Sequence, residues 1–170
     1  DGQGGAYFTD PGQSDYFKRI GCVYYVKYNE DEPALQLIQD GIAYPNGITL
    51  SPDGQFIYVA EFNTNSLVCI PSAAYTLGRA TPYVFARMDG GHGPDGITVD
   101  ADGNLYVAHL EAKEVLVFDK DGFQIERIPA PEDADIFVDN LCIHDGYLYI
   151  CEFGSSNIYR IAVTAETGEK

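Results

Sequence analysis

One pattern occurs three times along this chain. A turn rich in Gly, Asn and Asp opens an apolar strand-like run, an Asp-Gly turn follows, and two further runs complete the unit. The copies read PNGITLSPDGQFIYVAEFNTNSLVCI from Pro45 to Ile70, PDGITVDADGNLYVAHLEAKEVLVF from Pro94 to Phe118, and VDNLCIHDGYLYICEFGSSNIYRI from Val138 to Ile161. Their Asp-Gly turns fall at Asp53, Asp102 and Asp145, spacings of 49 and 43 residues. An opening partial copy runs from Asp1-Gly2 through AYFTD (Ala6 to Asp10) to GCVYYV (Gly21 to Val26), with 52 residues from Asp1 to Asp53. Periods of this length mark architectures in which each unit buries its apolar faces only by stacking on its neighbours.

The units predict short antiparallel strands. Phe56 to Glu61, Leu105 to Leu110 and Tyr147 to Phe153 are rich in Tyr, Val and Ile and are bounded by Gly, Asn and Asp. Gly accepts the positive φ that tight hairpin turns need, so the Asp-Gly pairs mark hairpins. A fourth strand per unit is predicted at Leu35 to Asp40, Pro82 to Met88 and Gln124 to Pro129. No segment sustains a 3.6-residue apolar stripe, and Ser72 to Ala80 is at most a short helical or extended connection. The expected fold is all-β, a β-propeller of about three and a half to four four-stranded blades. Its units are about 1–44, 45–93, 94–137 and 138–163, with a polar tail from Thr164 to Lys170. A β-sandwich gives no reason for the same opening motif to head successive units. Propellers close with roughly 4 to 8 blades. The chain is therefore expected to be part of a larger ring, or to complete one by self-association.

Charge narrows the partners. Ten Lys and Arg against 26 Asp and Glu give a formal charge of −16, which repels phosphate backbones and anionic membrane surfaces. Nucleic acid and membrane are excluded as expected partners, and a divalent cation is favoured. No run approaches the roughly 20 apolar residues of a membrane helix. Cys22, Cys69, Cys142 and Cys151 form no C-x-x-C pair and lie within apolar runs, so buried free thiols are expected. The absence of an Asn-x-Ser/Thr sequon leans toward a cytoplasmic setting.

The heads of the units are where the copies differ. They carry Asn46 in PNG, Asp95 in PDG and the Asp139-Asn140 pair in VDN, each just before a strand expected to line the central channel. Equivalent side chains from successive blades can meet at the axis, and converging amide and carboxylate oxygens suit a hard cation such as Ca, Mg or Mn, with Zn tolerated. The plainer reading is Asx-turns to their own backbone. Gly91-His92-Gly93-Pro94-Asp95-Gly96 fits G-x-G-x-x-G but leads into a strand, which argues against a dinucleotide site. DADG from Asp100 and DKDG from Asp119 lack the spacing of a calcium loop and read as hairpin turns. His92 stands beside Asp95 in a Gly-rich loop, placed for substrate contact at a channel mouth or simply solvated. No G-x-S-x-G elbow supports a nucleophilic serine. The acidic runs Glu30-Asp31-Glu32 and Glu132-Asp133-Asp135 read as solvated loops.

YPNGITLSPDGQFIYVAE from Tyr44 to Glu61 and GPDGITVDADGNLYVAHLEAKEVLVFDKDG from Gly93 to Gly122 resemble the signature stretches of the senescence-marker-protein/gluconolactonase/luciferin-regenerating enzyme family. AYFTDP from Ala6 to Pro11 and EFGSSNIYRI from Glu152 to Ile161 fit the same family, and strictosidine-synthase-like propellers share the PNGI and SPDG pattern. The resemblance implies a six-bladed propeller of which this chain matches the C-terminal part. It also implies one divalent metal, Ca in first place, and hydrolysis of lactones or related esters. Of the family's ligand set, a glutamate, two asparagines and an aspartate, the last asparagine and the aspartate correspond to Asn46 and Asp95. Asp95 also takes the implied role of general base. Asn140 is a further candidate ligand and His92 a candidate substrate contact. The implied glutamate and first asparagine have no counterpart between Asp1 and Lys170. The alternative is a non-catalytic propeller that binds a partner and keeps the motifs as turns.

Overall fold

The computed structural model describes residues 1–28, 33–75, 78 and 81–163. The Glu30-Asp31-Glu32 run, the Thr164 to Lys170 tail and part of the Ser72 to Ala80 connection lie outside the described residues. The described chain is all-β and forms four antiparallel sheets, each a meander of strands consecutive in sequence. Sheet 1 holds β1 (Gly5–Asp10), β2 (Gly21–Lys27) and β3 (Ala34–Ile42). Sheet 2 holds β4 (Pro45–Leu50), β5 (Phe56–Glu61), β6 (Ser66–Pro71) and β7 (Tyr83–Arg87). Sheet 3 holds β8 (Gly93–Val99), β9 (Leu105–Leu110), β10 (Glu114–Phe118) and β11 (Gln124–Pro129). Sheet 4 holds β12 (Val138–His144), β13 (Tyr147–Glu152) and β14 (Asn157–Ala162). Among the described residues no helix is long and apolar enough to cross a membrane.

The strands read in the sequence are all present, but the two end sheets have three strands rather than four. The contacts between sheets show which strand each lacks. Inner strand β4 packs on β8 and β8 on β12, while the second strands β5 and β9 pack on the inner strands β8 and β12 of the next sheet. β1 packs on β4 in the same way, so it holds a second-strand position, and among the described residues sheet 1 has no inner strand. Its preceding Asp1-Gly2 turn matches Asp53-Gly54, the turn that leads into β5.

The turns confirm the local reading. Asp53 Oδ1 accepts from the Ser51 hydroxyl at 2.6 Å and the Gln55 amide at 3.0 Å. Asp100 and Asp119 likewise accept the amides two and four residues on. Their carboxylates are thereby engaged by their own hairpins, with Gly103 and Gly122 at positive φ, so the DADG and DKDG stretches are turns.

Three apolar cores lie between successive sheets. On β5, Ile57 and Val59 join Val23 and Ile42 between sheets 1 and 2, whereas Tyr58 and Ala60 join Leu105, Val107, Leu116 and Phe118 between sheets 2 and 3. On β9, Tyr106 and Ala108 turn the other way, to Val138, Leu148 and Ile150 of sheet 4. The period-two alternation of each middle sheet thus serves a core on both faces, which is why these strands are apolar along their whole length. Sheets 1 and 2 are further tied by Glu61, which is 2% exposed. It accepts the Ala43 amide at 2.8 Å and pairs with Arg19 from the β1–β2 connection at 2.5 Å.

The end sheets have one free face each. Phe8, Leu35 and Leu37 on sheet 1 and Ile158 on sheet 4 are exposed. This corrects the expectation of buried thiols. Only Cys69 is buried, because Cys22 lies on the free face of β2, and Cys142 and Cys151 on the free face of β12 and β13.

The inner strands meet at glycine. A methyl group on Gly47 would overlap the Asp95 carbonyl oxygen and come within 2.8 Å of the Ile97 nitrogen. One on Gly96 would stand 2.6 Å from Asn140 Cα and 2.8 Å from the Asp139 oxygen. Gly47→Ala is expected to force β4 from β8 and destabilise the protein by about 1–3 kcal/mol. Thermal denaturation checks this, and an unchanged midpoint would show that the strands part without cost.

Candidate active site at the inner strands

Each complete inner strand begins with a slip in register. Pro45 pairs with Glu61 but Ile48 with Val59, Pro94 with His109 but Ile97 with Val107, and Val138 with Glu152 but Asn140 with Cys151. In every case the inner strand carries one residue more than its partner, a β-bulge, which breaks the alternation and re-aims a side chain. The residue just past the last pair before the slip is Asn46, Asp95 and Asp139 in the three sheets.

These three side chains come together. The carboxyls of Asp95 and Asp139 share a hydrogen bond, and the Asn46 amide lies close enough to act on Asp95. Burial, then the neighbouring charge of Asp139 and the hydrogen bond between the two carboxyls, push Asp95 up to about 7, against an opposing pull from Asn46. No basic side chain is among these groups. The backbone beneath is fixed by the glycine contacts and by the Thr9 hydroxyl of sheet 1, which donates to the Asn46 carbonyl at 2.7 Å. Asn140 is placed differently. It is exposed, its Oδ1 accepts the Leu141 amide at 2.8 Å, and it packs against Gly96. Among the described residues no three His, Cys, Asp or Glu side chains form a metal cluster. The convergent set is two carboxylates and one amide.

His92 directly precedes β8, which carries Asp95, with its side chain 57% exposed and Nδ1 3.3 Å from the Glu111 carboxylate. Its ring lies 5.1 Å from that of Phe62, which in turn lies 5.6 Å from Tyr44. Asn65 holds the preceding segment by donating to the Met88 and Gly90 carbonyls. The fully buried His109 lies against Gly91 with no partner at Nε2. Phe137 and Phe153 stack at 4.8 Å at the corresponding positions of sheet 4. The sequence reading did not single out this aromatic rim. Its signal was positional: Tyr44, His92 and Phe137 each precede an inner strand, and Phe62 and Phe153 each follow a second strand.

Comparison with known proteins agrees with this architecture. Residues 1–150 match the SMP-30/Gluconolactonase/LRE-like region. The chain belongs to that family. It is 39% identical over 141 residues to lactonase drp35 of Staphylococcus epidermidis, an alignment covering 79% of this chain and 41% of that protein. Among solved structures, it superposes on a gluconolactonase from Xanthomonas campestris with a TM-score of 0.71 and 27% identity, covering 89% of this chain and 52% of the other. Regucalcin from Agrobacterium tumefaciens, a calcium-binding protein, gives 0.70 and 25%, covering 88% and 50%. The fold is a β-propeller. The chain spans about two fifths of the length of the curated lactonases it matches.

The raised Asp95 makes a testable demand on the cation-free protein. Between its ordinary 3.8 and about 7 the folded state holds a proton that the unfolded chain has released. Stability from this group is therefore full below 3.8 and is lost as pH rises through about 7. With chelator present, the parent is expected to lose stability across this window relative to Asp95→Asn in urea titrations. Parallel pH curves for the two proteins would refute the shift.

Proposed function

We propose that this chain carries the catalytic part of a metal-dependent hydrolase acting on lactones or related carboxylic esters. The observation that carries the reading is the meeting of Asn46, Asp95 and Asp139 from three consecutive sheets, with Asp95 poised near neutral pH. The family membership and the lactonase and gluconolactonase names of its relatives support it.

The residues fit a hard divalent cation. Their donors are carboxylate and amide oxygens, their like charges lack a base among the described groups acting on Asp95, and the glycine contacts fix the strands that present them. Asn46 and Asp95 would hold the ion, with Asn140 a further candidate. Ca is the expected ion, in keeping with the calcium-binding regucalcin, and Mn, Mg or Zn are the alternatives. The roughly 6 to 8 oxygens that Ca takes leave positions for water and for other parts of a complete ring. Such an ion, when bound, polarises the ester carbonyl and acidifies water.

The chain's own residues supply the rest. Asp95 accepts the proton of the attacking water, a task for which a base titrating near the working pH is best suited. Attack at the carbonyl carbon breaks the acyl C–O bond of the ring, and the ring oxygen takes the proton that Asp95 accepted, giving the hydroxy acid and restoring the Asp95 carboxylate. His92, flanked by Phe62 and Glu111, is positioned to contact the substrate at the rim. In the complete ring the remaining blades would cover the free faces of sheets 1 and 4, and self-association is the alternative route to that cover.

Native mass spectrometry of the chain with Ca, Mn and Zn offered in turn reads assembly and metal stoichiometry together. Bound metal, in a monomer or a closed assembly, supports the reading. Asp95→Ala is expected to abolish metal-dependent lactone hydrolysis, a loss of at least about a hundredfold for a general base. Parental turnover by the folded variant would overturn the assignment and favour a binding role.

A further inference from the structure

We propose that Asp139, rather than Asn140, is the third inner-strand residue to face the cation, and that its carboxylate sets the affinity of the site. This rests on the metal-dependent reading above and extends its ligand set.

Register carries the first step. The residue after the Pro45–Glu61 pair is Asn46 and the residue after the Pro94–His109 pair is Asp95. The residue after the Val138–Glu152 pair is Asp139. Asp139 is therefore the structural equivalent of the two ligands carried by sheets 2 and 3. Asn140 already pairs with Cys151, beyond the bulge.

Contacts carry the second. The Asp139 side chain hydrogen-bonds to Asp95. Its backbone is packed closely on sheet 3, where a Cβ on Gly96 would stand 2.8 Å from the Asp139 carbonyl oxygen and overlap the Asn140 side-chain oxygen. The Asn140 oxygen, by contrast, is engaged by the Leu141 amide. The fold thus holds two carboxylates against each other across adjacent blades. Like charges in contact repel strongly in a partly desolvated site, and a divalent cation between them turns that repulsion into attraction. Ligand charge count is also what tunes calcium affinity over orders of magnitude.

The test uses the whole chain with Ca as the probe, in Asp139→Asn, Asp139→Ala, Asn140→Ala and Asp95→Ala variants. Calorimetry reads affinity, and thermal midpoints in chelator and in Ca read stability. Asp139→Asn is expected to weaken Ca binding by at least about tenfold, a larger loss than Asn140→Ala gives. In chelator the same variant is expected to melt no lower than the parent, because it removes a repulsion, while in Ca it gains less. A merely structural hydrogen-bonding role would instead lower the midpoint in both conditions. Loss of binding in Asp95→Ala with parental binding in both Asp139 variants would overturn this inference alone. Larger loss in Asn140→Ala than in Asp139→Asn would do the same. Parental binding in Asp95→Ala, or no Ca binding by the parent, would overturn the metal-dependent reading and this inference with it.

Discussion

The close backbone contact of the inner strands is the constraint on which the rest of the structure depends. β4, β8 and β12 approach so closely that Gly47 and Gly96 have no room for a side chain. Strands this close would ordinarily turn their side chains to the sheet faces, into the cores on either side. The bulge at the start of each strand releases one residue from that alternation. Close packing and bulge together turn three residues far apart in sequence into one cluster. The same contact spaces the sheets so that the cores between them can fill.

Those cores explain the difference between middle and end sheets. In sheets 2 and 3 the middle strands β5, β6, β9 and β10 bury both faces and read as nearly unbroken apolar runs, while the outer β7 and β11 are mostly exposed. Sheets 1 and 4 bury one face; the other is largely apolar in sheet 1, where Phe8 and Tyr24 stack and Leu35 and Leu37 are exposed, and mixed in sheet 4, where Ile158 stands among Asn140, His144 and Arg160. A sheet evolved to face water on one side carries polar residues there. The free face of sheet 1 instead carries apolar residues like those of a middle sheet.

The repeat made the fold legible because each Asp-Gly turn and each apolar run recurs in register, so a weak signal was read several times. The heads of the units were legible for the opposite reason, since Asn46, Asp95 and Asp139-Asn140 vary where the frame does not. What could not be read was which residue of the Asp139-Asn140 pair faces the axis. A bulge changes direction by a single residue, and sequence carries no mark of which one it displaces. Burial of the cysteines was misjudged on similar grounds, because apolar flanks describe a strand but not whether its face is covered. The aromatic rim escaped notice because its partners, such as Tyr44 and Phe62, are joined only when the hairpin folds back on itself.

The electrostatics connect the fold to the proposed chemistry. A chain with a formal charge of −16 already works against compaction through self-repulsion, and the inner strands concentrate two more carboxyls within hydrogen-bonding distance. An amide at position 95 would carry no charge to repel Asp139. Without a cation the pair is accommodated by holding a proton on Asp95 near neutral pH. With one, both carboxylates can be charged together, so proton and metal compete for the same oxygens. On the metal-dependent reading proposed above, occupancy falls as the pH drops below about 7, where Asp95 retains its proton. A carboxylate arrangement that disfavours the empty state and is relieved by a hard cation is what a cation site needs and a structural turn does not.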